Sequence, residues 1–243
     1  MSRPNVRGGY AATIAIVAAA SLSCLAKPAY AADLPLYKAP PAMMPAIYSW
    51  SGFYLGGQVG YAWGRDHTYE TLTSTGAFTG FQWRYNTDGV VGGLFAGANY
   101  QVGATVFGLE ADIEAAGNKG GFYDPPGAGD TRIKWQGSLR GRLGFAADRA
   151  LFYATGGLAY ADISHTYTEV FTPVSETTRD VRVGWTAGVG IDYAVTQNLL
   201  ARVEYRYTDY SSYTYVSLTA FPGLTGRQSP ELHTLRLGLG YKF

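Results

Sequence analysis

Two segments within residues 105–145 alternate apolar and charged side chains with strict period two. In the first, Thr105, Phe107, Leu109, Ala111, Ile113 and Ala115 share one face, opposite Val106, Gly108, Glu110, Asp112, Glu114 and Ala116. In the second, Ile133, Trp135, Gly137, Leu139, Gly141, Leu143 and Phe145 alternate with Arg132, Lys134, Gln136, Ser138, Arg140, Arg142 and Gly144. A period of two is that of a β-strand. One charged face is acidic and the other basic, so as antiparallel neighbours the two would neutralise each other on one side of a sheet. Two solvents can explain such a pair. In a soluble sandwich the apolar face is the core and the charges meet water. In an outer-membrane barrel the apolar face meets lipid and the charges line the interior. The pair alone leaves both open.

The ends of the chain favour the second. Arg3 and Arg7 precede a mostly apolar run over residues 10–25, followed by Ala29-Tyr30-Ala31. That is the layout of a secretory signal peptide over residues 1–31, cleaved after Ala31. The run is short and alanine-rich for a membrane-spanning helix. The one cysteine, Cys24, lies inside it, so the mature chain has no disulfide or cysteine-ligated metal. Ser21-Leu22-Ser23 is a poor setting for acylation of Cys24. At the far end, Leu235, Leu237, Leu239, Tyr241 and Phe243 oppose Thr234, Arg236, Gly238, Gly240 and Lys242. An alternating last strand that stops on an aromatic looks like the signal read by the outer-membrane assembly machinery, with Tyr241 and Phe243 as the residues read. Composition agrees: 32 glycines, 20 tyrosines and only 15% charged residues suit β architecture without long apolar runs. A net charge of +1 with no basic block gives no footing for nucleic acid.

Between the ends, residues 32–49 carry Pro35, Pro40, Pro41 and Pro45, which favour extended backbone. This stretch reads as a periplasmic linker, or as a segment capping the barrel mouth. The barrel itself is expected over residues 50–243. Eight alternating segments follow: 52–64, 89–100, 105–116, 132–145, 151–163, 181–193, 199–207 and the closing strand. In the fifth the two faces are nearly balanced, with Phe152, Ala154, Leu158 and Tyr160 slightly outweighing Tyr153, Thr155 and Ala159 as the lipid side. Connections 101–104, 146–150 and 194–198 are tight. Connections 65–88, 117–131, 164–180 and 208–230 are long and rich in Thr, Ser, Gly, Tyr and Pro. Regular alternation of short and long connections predicts an all-β fold: an eight-stranded antiparallel up-and-down transmembrane β-barrel with four long surface loops and short periplasmic turns.

A barrel of that size is filled by side chains. Glu110, Asp112, Glu114, Asp192 and Glu204 are expected to form an interior ion-pair network with Arg132, Lys134, Arg140, Arg142, Arg182, Arg202, Arg206 and Arg236, since an unpaired charge there would cost several kcal/mol. Trp63, Trp135, Trp185, Tyr205, Tyr207, Tyr210, Tyr241 and Phe243 are expected in interfacial girdles.

The sequence also resembles a known family. Ala32-Asp33-Leu34-Pro35, the opening Trp50-Ser51-Gly52-Phe53-Tyr54-Leu55-Gly56-Gly57, internal Leu139-Arg140-Gly141-Arg142-Leu143-Gly144 and Tyr153-Ala154-Thr155-Gly156-Gly157-Leu158-Ala159-Tyr160, and the closing residues 235–243 are similar to the alphaproteobacterial outer-membrane β-barrel proteins, the porin-family surface antigens of rhizobia, Brucella and Bartonella. These are related in fold to the OmpA transmembrane domain and the opacity proteins. The resemblance implies a bacterial outer-membrane location and no cofactor. The roles it implies are structural envelope protein, surface antigen, adhesin or haemin binder. No OmpA-like peptidoglycan-binding domain is expected after the barrel.

Catalysis would need a positioned base beside a nucleophile. His67 and His165 fall in the expected surface loops and His233 near the outer rim of the last strand, and no Ser/His/acid grouping can be read, so an enzyme is not expected. Glu110, Asp112 and Glu114 could be imagined around a metal, but their basic neighbours favour ion pairing. Haemin could use His67 with Tyr69, or His165 with Tyr167. The expected role is structural and interactive, with lipid and lipopolysaccharide, the assembly machinery and host or environmental surface ligands as partners. A narrow pore for small solutes, a haemin-binding surface barrel and a secreted β-sandwich are the alternatives.

Overall fold

A computed structural model describes residues 48–125, 127–172 and 174–243. The expected signal peptide, and all of residues 32–49 except Tyr48 and Ser49, lie outside the described residues. Ten antiparallel strands follow in order: β1 (Gly52–Leu72), β2 (Phe78–Val102), β3 (Thr105–Ala116), β4 (Lys119–Asp124), β5 (Gly127–Ala147), β6 (Ala150–Glu169), β7 (Val174–Ala194), β8 (Leu199–Asp209), β9 (Tyr213–Val216) and β10 (Leu224–Lys242). Eight of them close a ring, β1-β2-β3-β5-β6-β7-β8-β10, which shuts where Tyr54 to Leu72 pair with Lys242 to Leu224. Closure removes the sheet edges through the middle of the molecule.

The ring settles which solvent meets the apolar faces. Phe107, Leu139, Val189 and Leu237 are 52%, 55%, 57% and 58% exposed, whereas Glu110 and Arg140 are each 1% exposed. Hydrophobic residues therefore form an outer band and charges fill the lumen, the inverse of a soluble protein. On β1 the band runs from Phe53 to Trp63, about the 9–11 residues a tilted strand needs to cross hydrocarbon. On β6 the nearly balanced faces resolve with Phe152 and Leu158 outward and Tyr153, Thr155 and Ala159 buried.

The tight connections are the expected ones, and at one of them Gly103 takes a positive φ of 59°. The long connections are mostly strand. β1 and β2 continue as a paired ribbon to Leu72 and Phe78, and β6 and β7 to Glu169 and Val174. Threonine and tyrosine suit extended backbone whether or not lipid lies outside, so the sheet persists after the apolar alternation has ended.

Above the band the ring divides. β2 meets β4 only at Thr87↔Gly120 and Asp88↔Lys119. β7 meets β8 only from Trp185↔Asp209 downward, while β9 pairs with β10. Two four-stranded ribbons, β2-β1-β10-β9 and β4-β5-β6-β7, thus face one another over the mouth. Side chains close the gaps: Trp83 Nε1 donates to Asp124 Oδ2 at 2.8 Å, and Glu176 accepts from the Ser217 hydroxyl at 3.0 Å and from the backbone N–H groups of Leu218 and Thr219.

Candidate functional site in the barrel interior

At the short-turn end, Tyr48 and Trp50 fold into the opening and are 3% and 1% exposed. Their rings meet edge to face at 4.9 Å, beside Val106, Leu151, Tyr153 and Ala194. The Trp50 backbone N–H donates to Gln101 Oε1 at 2.7 Å and its indole to the Asp148 carbonyl at 3.4 Å. The residues that lead into β1 therefore stopper this end.

Across the middle, the inward positions of β3, β5, β7, β8 and β10 deliver five carboxylates and five guanidinium groups, all buried. Arg140 stands at the centre, 2.5 Å from Glu110, 3.3 Å from Asp112 and 3.1 Å from Glu204. Arg206 bridges Asp112 at 3.0 Å and Glu204 at 2.8 Å. Arg202 joins Glu110 at 2.7 Å to Asp192 at 2.8 Å, and Arg142 also pairs with Asp192. Arg236 grips Glu114 with both Nε and Nη2 at 2.8 Å, while Gln58 and Gln136 each donate to Glu114 at 2.9 Å. Two tyrosines complete the lattice: Tyr54 donates to Glu110 at 2.7 Å and Tyr153 to Glu204 at 3.1 Å. Both lie flat across glycines, because a Cβ at Gly97 would overlap the Tyr54 hydroxyl and one at Gly190 the Tyr153 hydroxyl. Arg142 also sits 3.6 Å from the centre of the Tyr153 ring, and Arg202 4.2 Å from that of Phe95.

Three of the cations expected here lie elsewhere. Arg132 and Lys134 face outward; Arg132 pairs with Asp130 at 2.9 Å, with its side chain 57% exposed. A bulge between Ile133 and Trp135 exchanges the faces of β5. Below it Gln136, Ser138, Arg140 and Arg142 point inward; above it Thr131 and Ile133 do. Arg182 keeps its inward register, but pairs with Asp180 at 2.7 Å where β7 has left β8, partly open to solvent.

The girdle positions divide similarly. Trp63, Trp185, Tyr205, Tyr241 and Phe243 are exposed on the outer surface, and Trp135 packs against Tyr160. Tyr207 joins Trp185 and His233 in the outer ring of aromatics. Tyr210 departs from this. It is 3% exposed and its hydroxyl donates to Gln136 at 3.2 Å, because β8 has ended and the chain turns over the mouth at Ser211, whose φ is +56°.

Above the apolar band the interior is a polar and aromatic vestibule. His165, expected in a surface loop, is 4% exposed inside it, since β6 continues through that position with His165 on the inward face. It bonds the Thr131 hydroxyl at 2.8 Å and the Gln228 amide at 3.2 Å, and burial pushes its imidazole down to about 4. Asp66 accepts from Tyr85 at 2.9 Å and Glu70 from Tyr167 at 2.6 Å; burial raises both carboxyls above the usual carboxylate range. His67 lies on the exposed outer face and His233 stacks on Trp63, with ring centres 6.0 Å apart, while bonding Tyr205 at 2.7 Å. The vestibule as a whole was not legible from spacing, because its residues come from five strands, β1, β2, β5, β6 and β10.

A lipid-facing band around a closed ring with an ionic lumen is the architecture of one setting. Residues 16–243 match the outer membrane protein beta-barrel domain. The chain belongs to that family. The barrel is 33% identical to a 25 kDa outer-membrane immunogenic protein of Brucella canis, over 94% of this chain and 97% of that protein. It is 34% identical to a 22 kDa outer membrane protein of Rhizobium leguminosarum bv. viciae, over 80% of this chain and 79% of that one. Among solved structures it is similar to OprG of Pseudomonas aeruginosa, with a TM-score of 0.53 at 14% identity, covering 79% of this chain and 96% of that one. The barrel is an outer-membrane protein and its surroundings are outer-membrane lipid.

Proposed function

We propose that this outer-membrane barrel serves the envelope as a non-conducting structural element and presents its outer ribbons to surface ligands. The observation that carries this reading is the charge balance of the lumen. Five arginines and five carboxylates engage one another at mid-height, and the Tyr48–Trp50 stopper lies beneath them. An ion passing through would have to part several buried pairs, each costing several kcal/mol to break. Folded protein in planar bilayers should show no stable single-channel current. A sizeable, persistent conductance favours the narrow pore instead. Arg140→Ala with Arg206→Ala should make the barrel leakier.

Assembly fits the same reading. Tyr241 and Phe243 project outward at 51% and 71% exposure with ring centres 5.1 Å apart, on the strand that closes the ring. We assign them to recognition by the assembly machinery. Phe243→Ala should lower the amount of barrel recovered in outer-membrane fractions without altering the heat-induced gel shift of the protein that does insert. The haemin reading rests on His67 with Tyr69 alone, because His165 and Tyr167 face inward.

A further inference from the structure

The lumen and the vestibule differ in how their charges are met. In the lumen every carboxylate named above touches an arginine. In the vestibule Glu70, 5% exposed, has the Tyr167 hydroxyl as its side-chain partner, and Asp66, 2% exposed, has the Tyr85 hydroxyl together with the backbone N–H groups of His67 and Ser229. No lysine or arginine reaches either among the described residues. Burial and, after it, the nearby Glu70, Asp66 and Glu176 carboxylates push the Tyr215 phenol up. A buried carboxylate without a cation is costly, and burial already raises Glu70.

At the mouth beside Glu70 is a cavity of about 110 Å³, walled by the rings of Phe81, Trp83, Tyr167 and Phe221 and flanked by the carboxylates of Glu70 and Asp124. Its walls are held in place. Trp83 stacks with Phe81 at 6.0 Å and with Phe122 at 4.6 Å, both nearly parallel to it, and its indole N–H is committed to Asp124. Tyr167 packs on Phe221 at 4.9 Å and is tied to Glu70. The indole and phenol donors thus point at the acids, leaving ring surface to line the space. A water molecule occupies ~30 Å³ of liquid, so the cavity has room for a group of about four heavy atoms.

We propose that this aromatic and acidic cage binds a small organic cation of the alkylammonium class, its methylated or primary ammonium seated against the four rings and its charge answered by Glu70 and Asp124. Ring faces attract a desolvated cation, and a diffuse alkylammonium suits an apolar wall better than a strongly hydrated metal ion does. The proposal deepens the surface-interaction reading. Its test reads ligand binding and not conductance, so a conducting barrel would leave it standing and a failed titration would leave the closed lumen standing.

The test is calorimetric titration of the folded protein in a maltoside detergent, which carries no ammonium group of its own. Choline is compared with its neutral isostere, in which a tert-butyl group replaces the trimethylammonium. Saturable choline binding, about tenfold or more tighter than the isostere, is the expected result. Glu70→Gln should erase most of that difference, and Trp83→Leu should weaken both ligands. Phosphocholine separates the sources: binding as tight as choline's points to a lipid head group, and markedly weaker binding, with its phosphate meeting Asp124, points to a free amine. Equal binding of choline and the isostere, no saturable choline binding, or an unchanged preference in a Glu70→Gln protein that keeps its heat-induced gel shift would each overturn the proposal.

Discussion

Arg140 touches three carboxylates from two strands other than its own, and its side chain is wholly buried. Its truncation would leave Glu110, Asp112 and Glu204 each short of a partner. Arg140→Ala should therefore destabilise the barrel by about 3–5 kcal/mol, seen as a lower urea concentration or temperature at which the folded gel band disappears. A change at exposed Arg132, whose Asp130 partner is also at the surface, should leave that midpoint nearly unmoved. His165 supplies the second residue-scale expectation. Burial holds its imidazole at about 4, below the ordinary 6.5, so the folded state disfavours the proton that the unfolded chain takes up. The vestibule's stability is then fully present above about pH 6.5 and is lost as the pH falls towards 4. An NMR titration of the imidazole should place its midpoint near 4, and a midpoint near 6.5 would show that the ring reaches water.

At the scale of elements, the membrane-crossing halves of the strands were legible because lipid on one side and packed charge on the other impose the same two-residue rhythm throughout. The rest was not, and β5 shows why. Its alternation runs unbroken from Arg132 to Phe145, but the outer solvent changes from hydrocarbon to water part-way along, so the face that should carry charge changes with it. The bulge between Ile133 and Trp135 makes the exchange, and nothing in the residue types marks it. β1 changes solvent without a bulge, replacing Trp63 by Arg65 and His67 on the same outward face. The strand extensions were equally hidden, since Thr- and Tyr-rich stretches read as loops once the apolar alternation stops. A cysteine scan checks the bulge: Arg132→Cys and Lys134→Cys should react with a membrane-impermeant maleimide on intact cells, whereas Ser138→Cys should not. Protection at 132 would return those side chains to the interior.

For the whole molecule, ring closure joins distant parts of the chain. Arg236 and Glu114 are separated by 122 residues and Arg206 and Asp112 by 94, yet both pairs lie buried in one lattice. Such a unit should open all at once. Unboiled samples should run on gels as one fast or slow species distinct from the boiled chain, with no stable intermediate band over the heating series. Partial species retaining half the strands would contradict a single cooperative lattice.

The equal numbers of opposite charges at mid-height also bear on how such a chain can diverge. Inserting or deleting a hairpin would alter both the circumference and the tally of interior charges, so two independent conditions would have to be met by one event. The ribbons above the girdle carry no such double condition, because each is bounded by an open seam that side chains bridge. Variation should accumulate there, letting the outward aspect of the molecule change from lineage to lineage while the charge-lined middle keeps its count.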